Sequence, residues 1–216
     1  IEPRSTVTGA NIFSDPASYR SFIAKLYAGL AVSGQQGPSG NPDIASIDEG
    51  FGQYIRGFWQ LQELPTETAV IGWGDVGLPE LVTMEWGESN QFVKAMYYRI
   101  FYQISLANEF LRETTDAKLT ARGVSDALRT EVHQYRAEAR WLRALSYWHA
   151  IDFFGDVPMV DENFVIGGTP PEPGERAVIF AWIEDELLDI RTELPGVGLA
   201  EYGRADQGAV AMLLAK

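Results

Sequence analysis

The chain contains no cysteine. That absence excludes a disulfide framework, a zinc–thiolate site, a thiol nucleophile and an iron–sulfur cluster within these residues. It does not fix the compartment, because exported proteins also do without disulfides. Histidine is nearly as scarce: His133 and His149 are the only two. They lie too far apart to share a helical turn, no H-E-x-x-H string occurs, and structural roles suit both. Positive charge is also in short supply, with 17 Lys+Arg against 30 Asp+Glu and a net charge of −13. A field of that sign argues against nucleic-acid backbones and polybasic membrane docking, and leaves neutral ligands such as sugars open. No apolar run is long enough to cross a bilayer. The opening Ile1-Glu-Pro-Arg has no signal-peptide pattern, so either the chain is cytosolic or a targeting segment has been removed.

What is present is a large apolar fraction, 46% of 216 residues. That suffices for a real core, in one large domain or part of a larger one. Aromatic residues make up 12%, including 6 Trp and 9 Tyr. This is more than a core needs, so some are expected to line a binding face.

Most of the chain reads as helix. Ser14 and Asp15 can cap a first helix, Pro16 suits its first turn, and Tyr19, Phe22, Ile23, Leu26, Tyr27 and Leu30 recur at helical spacing. Gly34 to Gly50 is a long polar loop rich in Gly, Pro, Asn and Asp. Phe51 to Leu64 reads as a second helix closed by Pro65. Thr66 to Ser89 reads as loop, with Trp73 and Trp86 in it. Asn90 to Thr115 carries one buried stripe through Val93, Tyr97, Ile100, Ile104, Ala107 and Leu111. Ser125 can cap a helix that reaches Phe154, where Gly155 and Pro158 stop it. Asp161 to Gly174 reads as loop, Ala177 to Leu194 as helix, and Ala205 to Lys216 as the opening of another. That last segment has no stop signal, so the chain is expected to be the first part of a longer protein. The fold class is therefore mostly α: a divergent, tetratricopeptide-like array of helical pairs with long irregular loops.

Few strings carry chemistry. Gly72-Trp-Gly-Asp-Val-Gly77 matches G-x-G-x-x-G, but Leu78-Pro79-Glu80 does not open a clean helix and Asp75 would face phosphate, so nucleotide binding is disfavoured. Trp73, held between glycines, has little local packing of its own. Its flat face suits a sugar ring, with Asp75 accepting hydroxyl hydrogen bonds; the plain alternative is a plug for its own loop. Trp86 reads more readily as core. Asn41 and Asp43 offer planar groups that can engage two adjacent hydroxyls. Asn-Pro-Asp is also an ordinary turn signal, and from the sequence alone the turn-making reading is favoured. The acids Asp161-Glu162 and Glu184-Asp-Glu186 do not single out a glycosidase pair, and the second cluster lies on a helix where a solvated face is usual. No G-x-S-x-G elbow occurs. Arg136, Arg140 and Arg143 share a helix face and are expected to pair with acids on neighbouring helices.

One longer pattern remains. Ala137-Glu-Ala-Arg-Trp-Leu-Arg-Ala-Leu-Ser-Tyr147 is followed by Asp152-Phe-Phe-Gly-Asp-Val-Pro158. Glu63-Leu-Pro-Thr-Glu67 and Tyr102-Gln-Ile-Ser-Leu-Ala-Asn108 precede it, and Gly203-Arg-Ala-Asp-Gln-Gly-Ala209 with Leu213-Leu-Ala215 comes after. In that order these strings resemble the SusD/RagB family over nearly the whole chain. The resemblance implies the N-terminal part of a single SusD-like domain over 1–216, non-enzymatic and without a cofactor. It implies a cell-surface protein that captures glycans and delivers them to a SusC-type TonB-dependent outer-membrane transporter, anchored by a lipidated cysteine that must lie upstream of Ile1 or have been removed. Family glycan contacts in this half come from loops after the first two helices, where this chain has Asn41, Asp43, Trp73 and Asp75. The readings left open are a scaffold for protein partners, capture of peptides, and, least favoured, a glycoside hydrolase.

Overall fold

The computed structural model describes residues 12–34, 42–44, 48, 50–164 and 167–216. The chain folds into two compact units, one of residues 1–26 with 104–216 and the other of residues 27–103. The described helices are α1 (Ala17–Ala31), α2 (Tyr54–Glu63), α3 (Leu78–Thr83), α4 (Gln91–Glu113), α5 (Asp116–Ala121), α6 (Asp126–Phe154), α7 (Arg176–Ile190) and α8 (Gln207–Leu214). The only named strands among the described residues are β1 (Val157–Pro158) and β2 (Pro173–Gly174), which pair antiparallel. The fold is thus mostly α, the helical array that the sequence pattern implies.

Helix boundaries follow local chemistry. Asp15 Oδ1 accepts from the Ala17 amide at 3.0 Å and starts α1. Ser125 Oγ accepts from Leu128 N at 3.4 Å and starts α6, and Gly155, at φ 71°, ends it. A side-chain cap of this kind contributes about 1 kcal/mol. Asp156, inside the Gly-Asp-Val-Pro stop, has a second role. Its Oδ1 accepts from Arg176 N at 2.8 Å, so the end of α6 caps the start of α7.

In the larger unit the C-terminal half of α6 is buried nearly all round, from Trp141 to Ile151 with few gaps. A helix enclosed in this way has packed neighbours on several faces rather than one buried stripe. Its arginines are held by polar partners. Arg140 donates to Glu186 at 2.7 and 3.1 Å and to Asp189 at 2.7 Å, both on α7. Arg143 reaches Glu186 at 2.9 Å, Asn108 Oδ1 at 2.7 Å and Glu162 at 2.5 Å. Arg136 departs from the expected pattern. It donates to the Leu111 carbonyl at 2.7 Å and the Thr114 hydroxyl at 2.9 Å, satisfying the buried C-terminal end of α4 rather than pairing with an acid. Glu186 likewise is no solvated charge, because two arginines clamp it. Burial alone would raise its pKa, but the hydrogen bonds from Arg140 and the charge of Arg143 outweigh that and hold it low.

His149 lies buried on α6, and burial lowers its pKa from 6.5 to about 4. Between those values the unfolded chain binds the proton that the folded protein refuses. His149 therefore favours the fold fully above pH 6.5, and that contribution is lost as pH falls toward about 4. The loss amounts to roughly 3 kcal/mol at most. Thermal midpoints measured across this window should fall more steeply for the wild type than for His149→Gln. Parallel profiles would assign the acid sensitivity to other groups.

Candidate functional site

The smaller unit builds its site on a hydrophobic floor. Leu64, Leu78, Leu81 and Phe92 form a buried cluster, and Ala69 and Ile71 pack against it. These two contacts hold the chain that leaves α2 down to Ile71. From Gly72 to Val76 every residue is exposed. The segment is fixed at both ends. Thr68 Oγ1 donates to Glu63 at 2.8 Å where it begins. Where it ends, Asn90 Nδ2 donates to the Gly77 carbonyl at 2.7 Å and Gln91 Nε2 donates to the Val76 carbonyl at 2.5 Å. Gly77 sits at φ 86°, and a Cβ there would come within 3.0 Å of the Asn90 amide, so this corner requires glycine. Asn90 also caps α4, its Oδ1 accepting from Phe92 N at 3.0 Å and Val93 N at 3.2 Å. One residue thereby ties the loop to the helix behind it.

Trp73 stands on this loop with 58% of its surface exposed. Added Cβ atoms at Gly72 and Gly74 would meet nothing within 4 Å, so the backbone on either side of Trp73 borders open space. The Arg56 guanidinium carbon lies 5.2 Å from the indole centroid, a cation–π distance, and Arg56 also donates to the Gly50 carbonyl. Asp48 folds the preceding turn, its carboxylate accepting from Gly50 N at 2.6 Å. Together Asp48, Gly50, Arg56, Gln60, Trp73, Asp75 and the apolar Phe51, Leu78 and Phe92 line a cavity of about 250 Å³. That lies below the roughly 300–1,000 Å³ of pockets that enclose a whole small molecule. It suits a fragment of a longer ligand, gripped rather than enclosed.

Of the residues singled out from sequence, Trp73 and Asp75 thus line one cavity. Asp43 does not line it. Its carboxylate lies 3.7 Å from Arg99 Nη1 as a buried pair, and its backbone N–H donates to the Ser33 carbonyl at 2.8 Å. Asn41 lies outside the described residues. Trp86 is 41% exposed rather than core, because the turn that carries it lies at the surface. The G-x-G-x-x-G match has neither a strand before it nor a long helix after it: α3 spans only Leu78–Thr83. Asp48, Arg56 and Gln60 were not singled out. Arg56 and Gln60 stand four residues apart on one face of α2, and that spacing was the available signal. Nothing local to Asp48 links it to a tryptophan 25 positions away.

Chemically, the lining offers a flat aromatic face, carboxylate acceptors, guanidinium donors and an amide. That combination suits a neutral polyhydroxylated ring, whose C–H face stacks while its hydroxyls bond in the plane. Glu162 and Glu186, the acids nearest to a glycosidase reading, are both engaged by arginine. Among the described residues no group of three or more potential metal ligands occurs, and no helix is long and apolar enough to cross a membrane.

No family model matches the chain. It is 34% identical over 208 residues to the starch-binding protein SusD of Bacteroides thetaiotaomicron, covering 94% of this chain and 35% of that protein. Among solved structures, a SusD homolog from the same organism matches with a TM-score of 0.71 at 19% identity, covering 98% of this chain and 37% of that one. A laminarin-binding SusD-like protein matches with a TM-score of 0.66 at 16% identity, covering 92% and 38% respectively. The chain thus spans little more than a third of the length of each of these relatives.

Proposed function

Because the chain belongs to the SusD/RagB family and corresponds to about a third of its curated relative's length, we propose that it is part of a cell-surface protein that captures glycans. In this reading the protein is a binder rather than an enzyme. The cavity around Trp73 contributes one portion of the ligand site, and residues outside this chain contribute the rest. The helical array carries the loops and faces a SusC-type TonB-dependent transporter, which receives the captured chain. A lipid anchor holds the protein at the outer membrane.

The observation that carries this reading is the convergence of Trp73, Asp75, Asp48 and Arg56 on one cavity. It occurs in a chain similar to a named starch-binding protein. Aromatic stacking with in-plane polar groups is the chemistry that a pyranose ring requires, and the acidic surface repels anionic ligands. Affinity electrophoresis of the intact protein against a polysaccharide panel that includes starch and laminarin tests the proposal. Retardation on at least one neutral glycan is expected. Unchanged mobility on every glycan, with a transporter still retained in pull-downs, would favour the scaffold reading instead.

A further inference from the structure

Gln60 is the cavity residue whose chemistry the fold leaves unspent. It sits on α2, one turn beyond Arg56, and is 2% exposed. Its Oε1 is buried and finds no hydrogen-bond partner among the described residues. Buried polar atoms are almost always paired, and an unpaired one is destabilising unless something else satisfies it. The residue lines the same cavity as Trp73 and Asp75. Among the other cavity side chains with polar ends, Arg56 is held on Gly50 and Trp73, Asp48 on Gly50 N, and the Asp75 carboxylate is exposed to water, whereas the Gln60 oxygen is buried.

We propose that Gln60 is a selectivity residue of the cavity, its amide taking a hydrogen bond from a ligand hydroxyl. This rests on the capture reading and goes beyond it by naming what the floor of the site reads. A hydroxyl is the matching group, because it can donate to the amide oxygen or accept from the amide nitrogen. The terminal torsion of glutamine is soft, so the amide turns toward an arriving ligand at little cost. The burial penalty is already present in the free protein. A ligand with a hydroxyl at this point relieves it, whereas an analogue with hydrogen there leaves the amide unpaired, which is how a polar site rejects a deoxy ligand.

The test uses the intact protein and two probes, maltoheptaose and a linear oligosaccharide of laminarin. The variants are Gln60→Met, which keeps the length of the side chain, and Trp73→Ala. Affinity is measured by titration calorimetry and stability by thermal midpoint. The proposal predicts that Gln60→Met melts no lower than wild type and binds the recognised probe about tenfold more weakly. Wild-type affinity in Gln60→Met, with binding lost in Trp73→Ala, would overturn the role of Gln60 and leave glycan capture standing. A lower melting point in Gln60→Met would make the amide a structural group and would also overturn it. Should wild type bind neither these probes nor any glycan of the panel, the capture reading falls and this inference with it.

Discussion

Replacing Arg99 with methionine is expected to destabilise the protein by about 3–5 kcal/mol. Arg99 is 1% exposed, and its guanidinium does three things at once. It donates to the Gly52 carbonyl, donates to the Ser33 carbonyl at 2.6 Å, and lies 3.7 Å from the Asp43 carboxylate. Burial lowers its pKa and Asp43 raises it again, yet an arginine stays charged under any such pull. The residue is therefore a fixed buried cation whose partners are the ends of a loop. Methionine fills much of the volume but leaves Asp43 and two carbonyls without it. Lysine does not restore them, since one ammonium lacks the planar fork that spans three acceptors. Urea unfolding of Arg99→Met and Arg99→Lys measures the effect. A loss below about 1 kcal/mol, the worth of an exposed pair, would mean that the loop ends are held by something else. Because Gly50 and Asp48 lie beside Gly52, the same substitution should loosen one wall of the Trp73 cavity.

The second large effect is expected at Arg204. Glu138 on α6 is 0% exposed, and Arg204 donates to both of its carboxylate oxygens while stacking 4.9 Å over the Tyr135 ring. The two partners are not equivalent. Arg204 keeps some contact with solvent, whereas Glu138 has none. Removing the arginine takes the opposite charge away from a carboxylate that water does not reach, leaving the neutral Gln134 amide at 3.3 Å, so Arg204→Met should cost about 3–5 kcal/mol. The double variant Glu138→Leu with Arg204→Met should recover most of that loss, because an apolar pair of similar volume replaces the ion pair without leaving a charge behind. Thermal or denaturant unfolding of the two single variants and the double variant closes the cycle. Additive losses would mean that the two residues act separately.

These two clusters also show what the sequence could and could not announce. Helix starts and stops were legible because capping is local: Asp15, Ser125 and Gly155 act within a few residues of their own positions. The short helices α3 and α5 were not, since six residues make less than two turns and cannot show the i, i+3, i+4, i+7 repeat. Long-range polar pairs were legible only in kind. The spacing of Arg140 and Arg143 placed them on one face, but nothing in it pointed to Glu186, 43 residues away from Arg143. The same limit shaped the reading of the site. Trp73 drew notice because two glycines flank it. Gln60 did not, because a glutamine on a helix reads as surface until the fold shows it enclosed. Asp43 drew notice as a polar turn residue, and the fold gives its carboxylate to Arg99.

The central claim is that the cavity beneath Trp73 grips a neutral glycan. The most direct measurement compares Trp73→Ala with Trp86→Ala in the intact protein, by calorimetric titration with the oligosaccharide that wild type binds. Both tryptophans are exposed, at 58% and 41%, but only Trp73 lines the cavity. Loss of a stacking indole from a sugar subsite should weaken binding by a factor of about ten or more, an order taken from aromatic contacts worth up to about 1.5 kcal/mol beyond buried area. Trp86→Ala should bind as wild type does. Equal affinities for wild type and Trp73→Ala, or a larger loss at Trp86, would contradict the account.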